Sequence, residues 1–121
     1  MAKPSKMQTD ALLRLKHEVI DQMVTMNYWE EERIHPLHDI PLAVLRKNAT
    51  QRHGVTRFRR GANASELKTE DVETIDLHPH LLHEDWNDYA RFVLYHEYLH
   101  ALGNRFHDAT FRKLESHWPF S

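Results

Sequence analysis

Residues His96 to His107 read His-Glu-Tyr-Leu-His-Ala-Leu-Gly-Asn-Arg-Phe-His, and no other stretch constrains the chain as tightly. On an α-helix, a step of four residues turns about 400° and rises about 6 Å, so His96 and His100 point the same way, one turn apart. Two neutral imidazoles placed like this can hold one Zn²⁺. Glu97 is rotated about 100° from His96. It borders the open side of such a metal, where a carboxylate can take a proton from a metal-activated water. A catalytic zinc has three protein ligands beside that water, so a third is required. His107 is the leading candidate, and Glu115 is the alternative.

The flanks say what carries the motif. Trp86 to Tyr95 are helix-compatible, and Trp86, Tyr89, Phe92 or Val93, His96 and His100 recur at helical spacing. This stripe predicts that the histidines look toward the body of the domain. Gly103 stands where a C-cap ends the helix and lets the chain double back with His107. Asp108 then reads as the N-cap of a short helix, Ala109 to about His117, stopped by Pro119. Two neighbouring motif classes fit less well. A metzincin pattern puts its third His at position 106, which is Phe106, and all four Met lie at 1, 7, 23 and 26, so no downstream methionine turn exists. A gluzincin pattern takes its third ligand from a later helix, which leaves only Glu115.

The rest of the chain sets the frame. Its 121 residues make one domain over 1–121, with a tail over 1–6. Hydrophobic residues at 40% and charged residues at 28% read as globular. A net charge of −2 argues against a strongly cationic surface overall, and the absence of Cys excludes disulfides and cysteine-based zinc fingers. No apolar run approaches the ~18 residues of a membrane span and no signal-peptide pattern is present, which predicts a cytoplasmic protein with no membrane partner.

Thr9 or Asp10 opens a long helix to about Glu31, with Leu12, Val19, Ile20 and Met23 on its apolar side. Leu42–Leu45 reads as a strand or the start of a short helix. Val55–Arg59 and Val72–His78 read as strands. The expected class is therefore α+β: a long N-terminal helix, a small, mainly antiparallel sheet of about three strands, the motif helix and a short C-terminal helix, a minimal zincin-like domain. Its cleft falls between the motif helix and an edge strand. His35, His38 and Asp39, and again His78, His80 and His83, read as polar loop residues rather than second metal sites. Four Arg between 52 and 60 make a basic segment, either a charged edge that blocks aggregation or a contact for phosphates.

His96-Glu97-x-x-His100, a short loop, and then His107-Asp108-x-x-Phe111-x-x-Leu114 together resemble the SprT-like and WLM (YgjP-like) zinc metallopeptidases. Arg52-x-Gly54 and Ile75-x-Leu77-x-Pro79-x-Leu81 are similar to upstream strand segments of that group. The likeness covers about residues 40–118. Where the family has Arg-Trp-Gly-Ser-Cys this chain has Arg-His-Gly-Val-Thr, and the cysteine-rich zinc ribbon of many SprT-like proteins is absent. The resemblance implies a hydrolase, a metalloprotease with one Zn²⁺ per chain on His96, His100 and His107 and with Glu97 as general base. It implies a polypeptide substrate lying along an edge strand near 52–60. It also implies a DNA-repair role on DNA-crosslinked proteins, with DNA held through Arg52–Arg60. Tyr95, Tyr98 and Arg105 are near enough in sequence to serve as electrophile. The other classes are a non-catalytic zinc-stabilised binding module and a metal-dependent nuclease. Glu97 argues against both: a purely structural site has no use for it, and the YbeY-like endoribonucleases that hold a metal with three His lack it.

Overall fold

A computed structural model describes residues 3–49 and 51–120. It shows an α+β fold with the elements in the expected order. Helix α1 spans Lys6–Met26. It starts earlier than Thr9 because Ser5 and Gln8 form a capping box: the Ser5 Oγ accepts from the Gln8 N–H at 3.1 Å, and the Gln8 Oε1 accepts from the Ser5 N–H at 2.9 Å. Of the tail read over 1–6, Lys6 is thus helical, and residues 1 and 2 lie outside the described residues. The helix stops at Met26, short of Glu31, because Asn27 takes the left-handed conformation at φ 60°. The glutamates expected at its end instead open a short helix α2, Glu31–Ile34, followed by a 3-10 turn over His35–Asp39.

Three strands form one sheet in the order β1-β3-β2: β1 is Leu42–Val44, β2 is Gly54–Phe58 and β3 is Val72–Leu77. The segment left open at 42–45 is therefore a strand. It runs parallel to β3, with Leu42 opposite Ile75 and Val44 opposite Leu77. The longer pairing is antiparallel, β2 on β3, with Gly54 opposite Leu77 and Thr56 opposite Ile75, up to an irregularity between Arg57 and Phe58. The β2 strand is consequently an edge.

One core joins the layers. Val44, Ile75 and Leu77 of the sheet meet Leu12, Leu15 and Val19 of α1 and Val93 and Leu94 of α3, Asn87–Ala101. Arg91 ties α3 to α1 through Glu18 at 3.1 Å and to its own helix through Asp88 at 2.7 Å. The last helix, α4, is Ala109–Ser116 with Asp108 as its N-cap, accepting from the Phe111 N–H at 3.0 Å. Among the described residues, no helix is long and apolar enough to cross a membrane.

Candidate metal centre

Helix α3 carries the motif as its spacing requires, and the turn after it is built in detail. Ala101 ends the helix and Gly103 sits at φ 106°. The Gly103 N–H donates to the His100 carbonyl at 3.0 Å and the Asn104 N–H to the Leu99 carbonyl at 3.2 Å. This is the Schellman arrangement, which needs a residue without a Cβ penalty at positive φ. The reversal brings His107 back over α3.

The outcome is a three-histidine cluster. The His107 Nε2 lies 3.1 Å from the His100 Nε2 and 3.2 Å from the His96 Nε2. It is the one such group among the described residues with converging ligand atoms. The other two ring nitrogens decide the tautomers. His96 Nδ1 lies 2.5 Å from the Glu115 Oε2, and His100 Nδ1 lies 2.8 Å from the Asn104 carbonyl. An ionised carboxylate and a carbonyl only accept, so both Nδ1 atoms carry a proton, and in the neutral imidazoles both Nε2 atoms present lone pairs. A proton on the His107 Nε2 can serve only one of its two neighbours, which leaves at least one close nitrogen–nitrogen approach with no hydrogen between. A cation resolves that repulsion. Tetrahedral Zn²⁺ with ligands at about 2.0–2.1 Å sets nitrogens about 3.3 Å apart, near the spacing seen. Burial, the first of several causes, also lowers the pKa of His100 and so favours the neutral imidazole that metal binding requires.

The floor of the cluster is Phe111, which is 1% exposed. Its ring centre lies 4.8 Å from each of the three imidazoles. A downstream aromatic thus fills the place below the ligands for which the chain has no methionine. Asp108, which caps α4, holds Phe111 there.

Glu97 is 6% exposed and sits beside the cluster on the β2 side. Its Oε1 accepts from the Thr56 hydroxyl at 2.9 Å. Burial pushes its carboxyl pKa up, opposed by the Thr56 hydrogen bond, by His96 and by the Arg52 guanidinium. The close approach of α3 and β2 depends on Gly54. A Cβ at that position would lie 2.9 Å from the Val93 Cγ1 and 3.1 Å from the Glu97 Oε2.

A cleft of about 620 Å³ runs between α3 and β2, and His96, Glu97, His100 and His107 line it together with Arg52, His53, Tyr89 and Arg105. Several sequence expectations change here. Of the stripe Trp86, Tyr89 and Phe92 or Val93, Tyr89 lines this cleft and is 38% exposed, Trp86 is 52% exposed outside the cleft lining, and Phe92 lines the cleft while packing against the core. The core side of α3 is Ala90, Val93, Leu94, Tyr98 and Ala101. Tyr95 and Tyr98 are fully buried, with the Tyr95 hydroxyl donating to the Leu114 carbonyl, and burial raises both phenol pKa values. They lie away from the cleft lining, and of the three electrophile candidates only Arg105 is in it. Glu115 is a partner of His96 rather than a separate ligand in the converging group. The loop histidines stay apart from the cluster. The His78 Nε2 meets the Ala49 carbonyl at 3.0 Å, and His38 packs between the rings of His17 and His35.

Sequence reasoning missed Thr56, Gly54 and Phe111 as parts of the site. Their only trace was that Arg52-x-Gly54 and Phe111 belonged to the quoted resemblance. Comparison with protein-family models, with curated proteins and with solved structures finds no match.

Proposed function

We propose that the chain is a zinc-dependent metallopeptidase, of the SprT-like and WLM kind that its motif resembles. The observation that carries this reading is the convergence of three Nε2 atoms, two with their Nδ1 protons already committed, beside a buried glutamate. Zn²⁺ on His96, His100 and His107 would supply a Lewis acid for a scissile carbonyl and a water with its pKa lowered to about 7.

The protein's own groups do the rest. Thr56 holds Oε1 of Glu97, which leaves Oε2 to take the proton of an attacking water and pass it to the leaving amide nitrogen. Burial strengthens Glu97 as a base by disfavouring its charged form. The β2 edge can position the substrate. The His53 carbonyl accepts from the His78 N–H at 2.8 Å, so antiparallel alternation turns the main-chain groups of Gly54 and Thr56 outward. No other element among the described residues takes them, and an extended peptide can pair there across the cleft.

A substrate associated with DNA is the narrower form of the proposal. Arg52, Arg59 and Arg60 make no ion pair among the described residues, whereas Arg57 is held by the buried Asp76 at 2.6 Å. Of these, Arg52 lines the cleft, and guanidinium groups without a carboxylate partner suit a phosphate backbone.

The test purifies wild type and Glu97→Gln without added metal, measures zinc, and offers each an unfolded protein with and without single-stranded DNA. About one zinc in each is expected, with cleavage by the variant lower by about 10²–10⁴-fold. Stimulation by DNA that fades with salt supports the narrower form. Absence of zinc from both, or equal cleavage by both, overturns the peptidase. Zinc without any cleavage leaves a metal-stabilised binding module.

A further inference from the structure

Three aromatic side chains stand in a row at the start of α3, Trp86 as its N-cap residue and Tyr89 and Phe92 within it, upstream of the proposed metal ligands. Trp86, Tyr89 and Phe92 are spaced by three residues. The Trp86 and Tyr89 rings meet edge to face at 6.2 Å, and Tyr89 stacks on Phe92 at 6.4 Å. Trp86 and Tyr89 stay exposed, which leaves apolar surface in water at roughly 25 cal/mol for each Å². Tyr89 is also fixed. Its hydroxyl lies 2.7 Å from the Nδ1 of His53, with the two rings nearly perpendicular, 5.4 Å apart. That bond bridges the cleft from α3 to the head of β2. It occupies the one polar atom of Tyr89, so the ring offers its carbon faces.

We infer that Tyr89, backed by Phe92 and clamped by His53, is a specificity subsite that receives a large apolar or aromatic side chain of the substrate polypeptide. The inference rests on the peptidase reading and names the class of residue that peptidase selects. Geometry gives the position. Tyr89 precedes His96 by seven residues, about 10 Å along a helix axis. An extended chain covers that distance in about three residues. The selected side chain therefore lies two or three residues from the scissile bond. A polypeptide is the occupant favoured over a nucleic-acid base because the subsite continues directly into the outward-facing main chain of Gly54 and Thr56. That edge is matched by another main chain in extended form.

The experiment reads binding, so it does not depend on turnover. Zinc-loaded Glu97→Gln is titrated with fluorescein-labelled octapeptides of Ala and Ser in which one Phe is moved through each position. One or two neighbouring positions should tighten binding by about tenfold or more over the Phe-free peptide. The gain should vanish in Tyr89→Ala/Glu97→Gln and persist in Tyr89→Phe/Glu97→Gln, which keeps the ring. Should Tyr89→Ala fail to fold or to hold zinc, His53→Ala, which frees the ring at an exposed position, should weaken the same gain. Equal binding of all peptides, or a gain that survives Tyr89→Ala, overturns the subsite even if wild type proves a peptidase. Displacement of the Phe peptide by oligo(dT) that depends on Tyr89 also overturns it, in favour of base stacking. The expected pattern together with no cleavage by wild type would keep the subsite and remove the peptidase.

Discussion

At the scale of single residues, the site is organised by the groups that hold the imidazoles rather than by the ligands alone. Glu115 fixes the tautomer and the ring direction of His96, and the Asn104 carbonyl does the same for His100. Only the first can be removed by mutation without touching the backbone. Glu115→Gln keeps the shape but can accept from Nδ1 only as a neutral amide, so the imidazole loses basicity. Zinc affinity is expected to fall about 10–100-fold with the fold intact. Competition with a chromogenic chelator measures it. Affinity equal to wild type would show that the His96–Glu115 contact has no part in holding metal. The sequence made His96, Glu97 and His100 legible because a helix of known pitch converts spacing into direction, and His107 legible because Gly103 marks where the chain turns back. Glu115 was legible only as a carboxylate in the right region. Whether it ligates or supports depends on where α4 lies, and that is set by the packing of Phe111 and Leu114 rather than by any local pattern.

Among the elements, the meeting of β2 with α3 positions Glu97, the proposed base. Thr56 reaches Glu97 because Gly54 lets the strand come close, and a Cβ there has no room beside Val93 and Glu97. Gly54→Ala should cost about 1–3 kcal/mol of stability through overpacking, read by urea denaturation. It should also disturb the Thr56–Glu97 bond and so reduce turnover while zinc content stays near that of wild type. Unchanged stability and turnover would mean that the two elements separate without loss. Helix and strand identities were readable here, since Val55–Arg59 and Val72–His78 alternate as strands do. Two features were not. The stripe Trp86, Tyr89 and Phe92 or Val93 has the spacing of a core face, and Val93 does enter the core, but Trp86 and Tyr89 stay exposed while Ala90, Leu94 and Tyr98 are buried. The start of α1 moved to Ser5 because a Ser-x-x-Gln box outweighed the later Thr9 and Asp10.

Across the whole molecule, the candidate metal centre joins parts that have few other reasons to stay together. Helix α3 gives His96 and His100, the returning loop gives His107, and α4 gives Phe111 and Glu115. α4 is only eight residues long, too short to be stable alone, and it is anchored to α3 mainly through Phe111 and the hydroxyl of Tyr95 on Leu114. By contrast α1, β3 and the core side of α3 are held by the shared apolar core. Metal binding stabilises whatever must be ordered to form the site. Chelation is therefore expected to act on one region: amide hydrogen exchange should rise over residues 104–116, while α1 and β3 keep their protection. Zinc should restore the slow exchange, in Glu97→Gln as well as in wild type, because Glu97 is outside the group of converging imidazoles. Uniform loss of protection across the chain would mean that the metal holds the entire fold. No change anywhere would mean that the three imidazoles are pinned by packing alone, and the repulsion between their bare nitrogens would then have to be relieved by a proton instead of a metal.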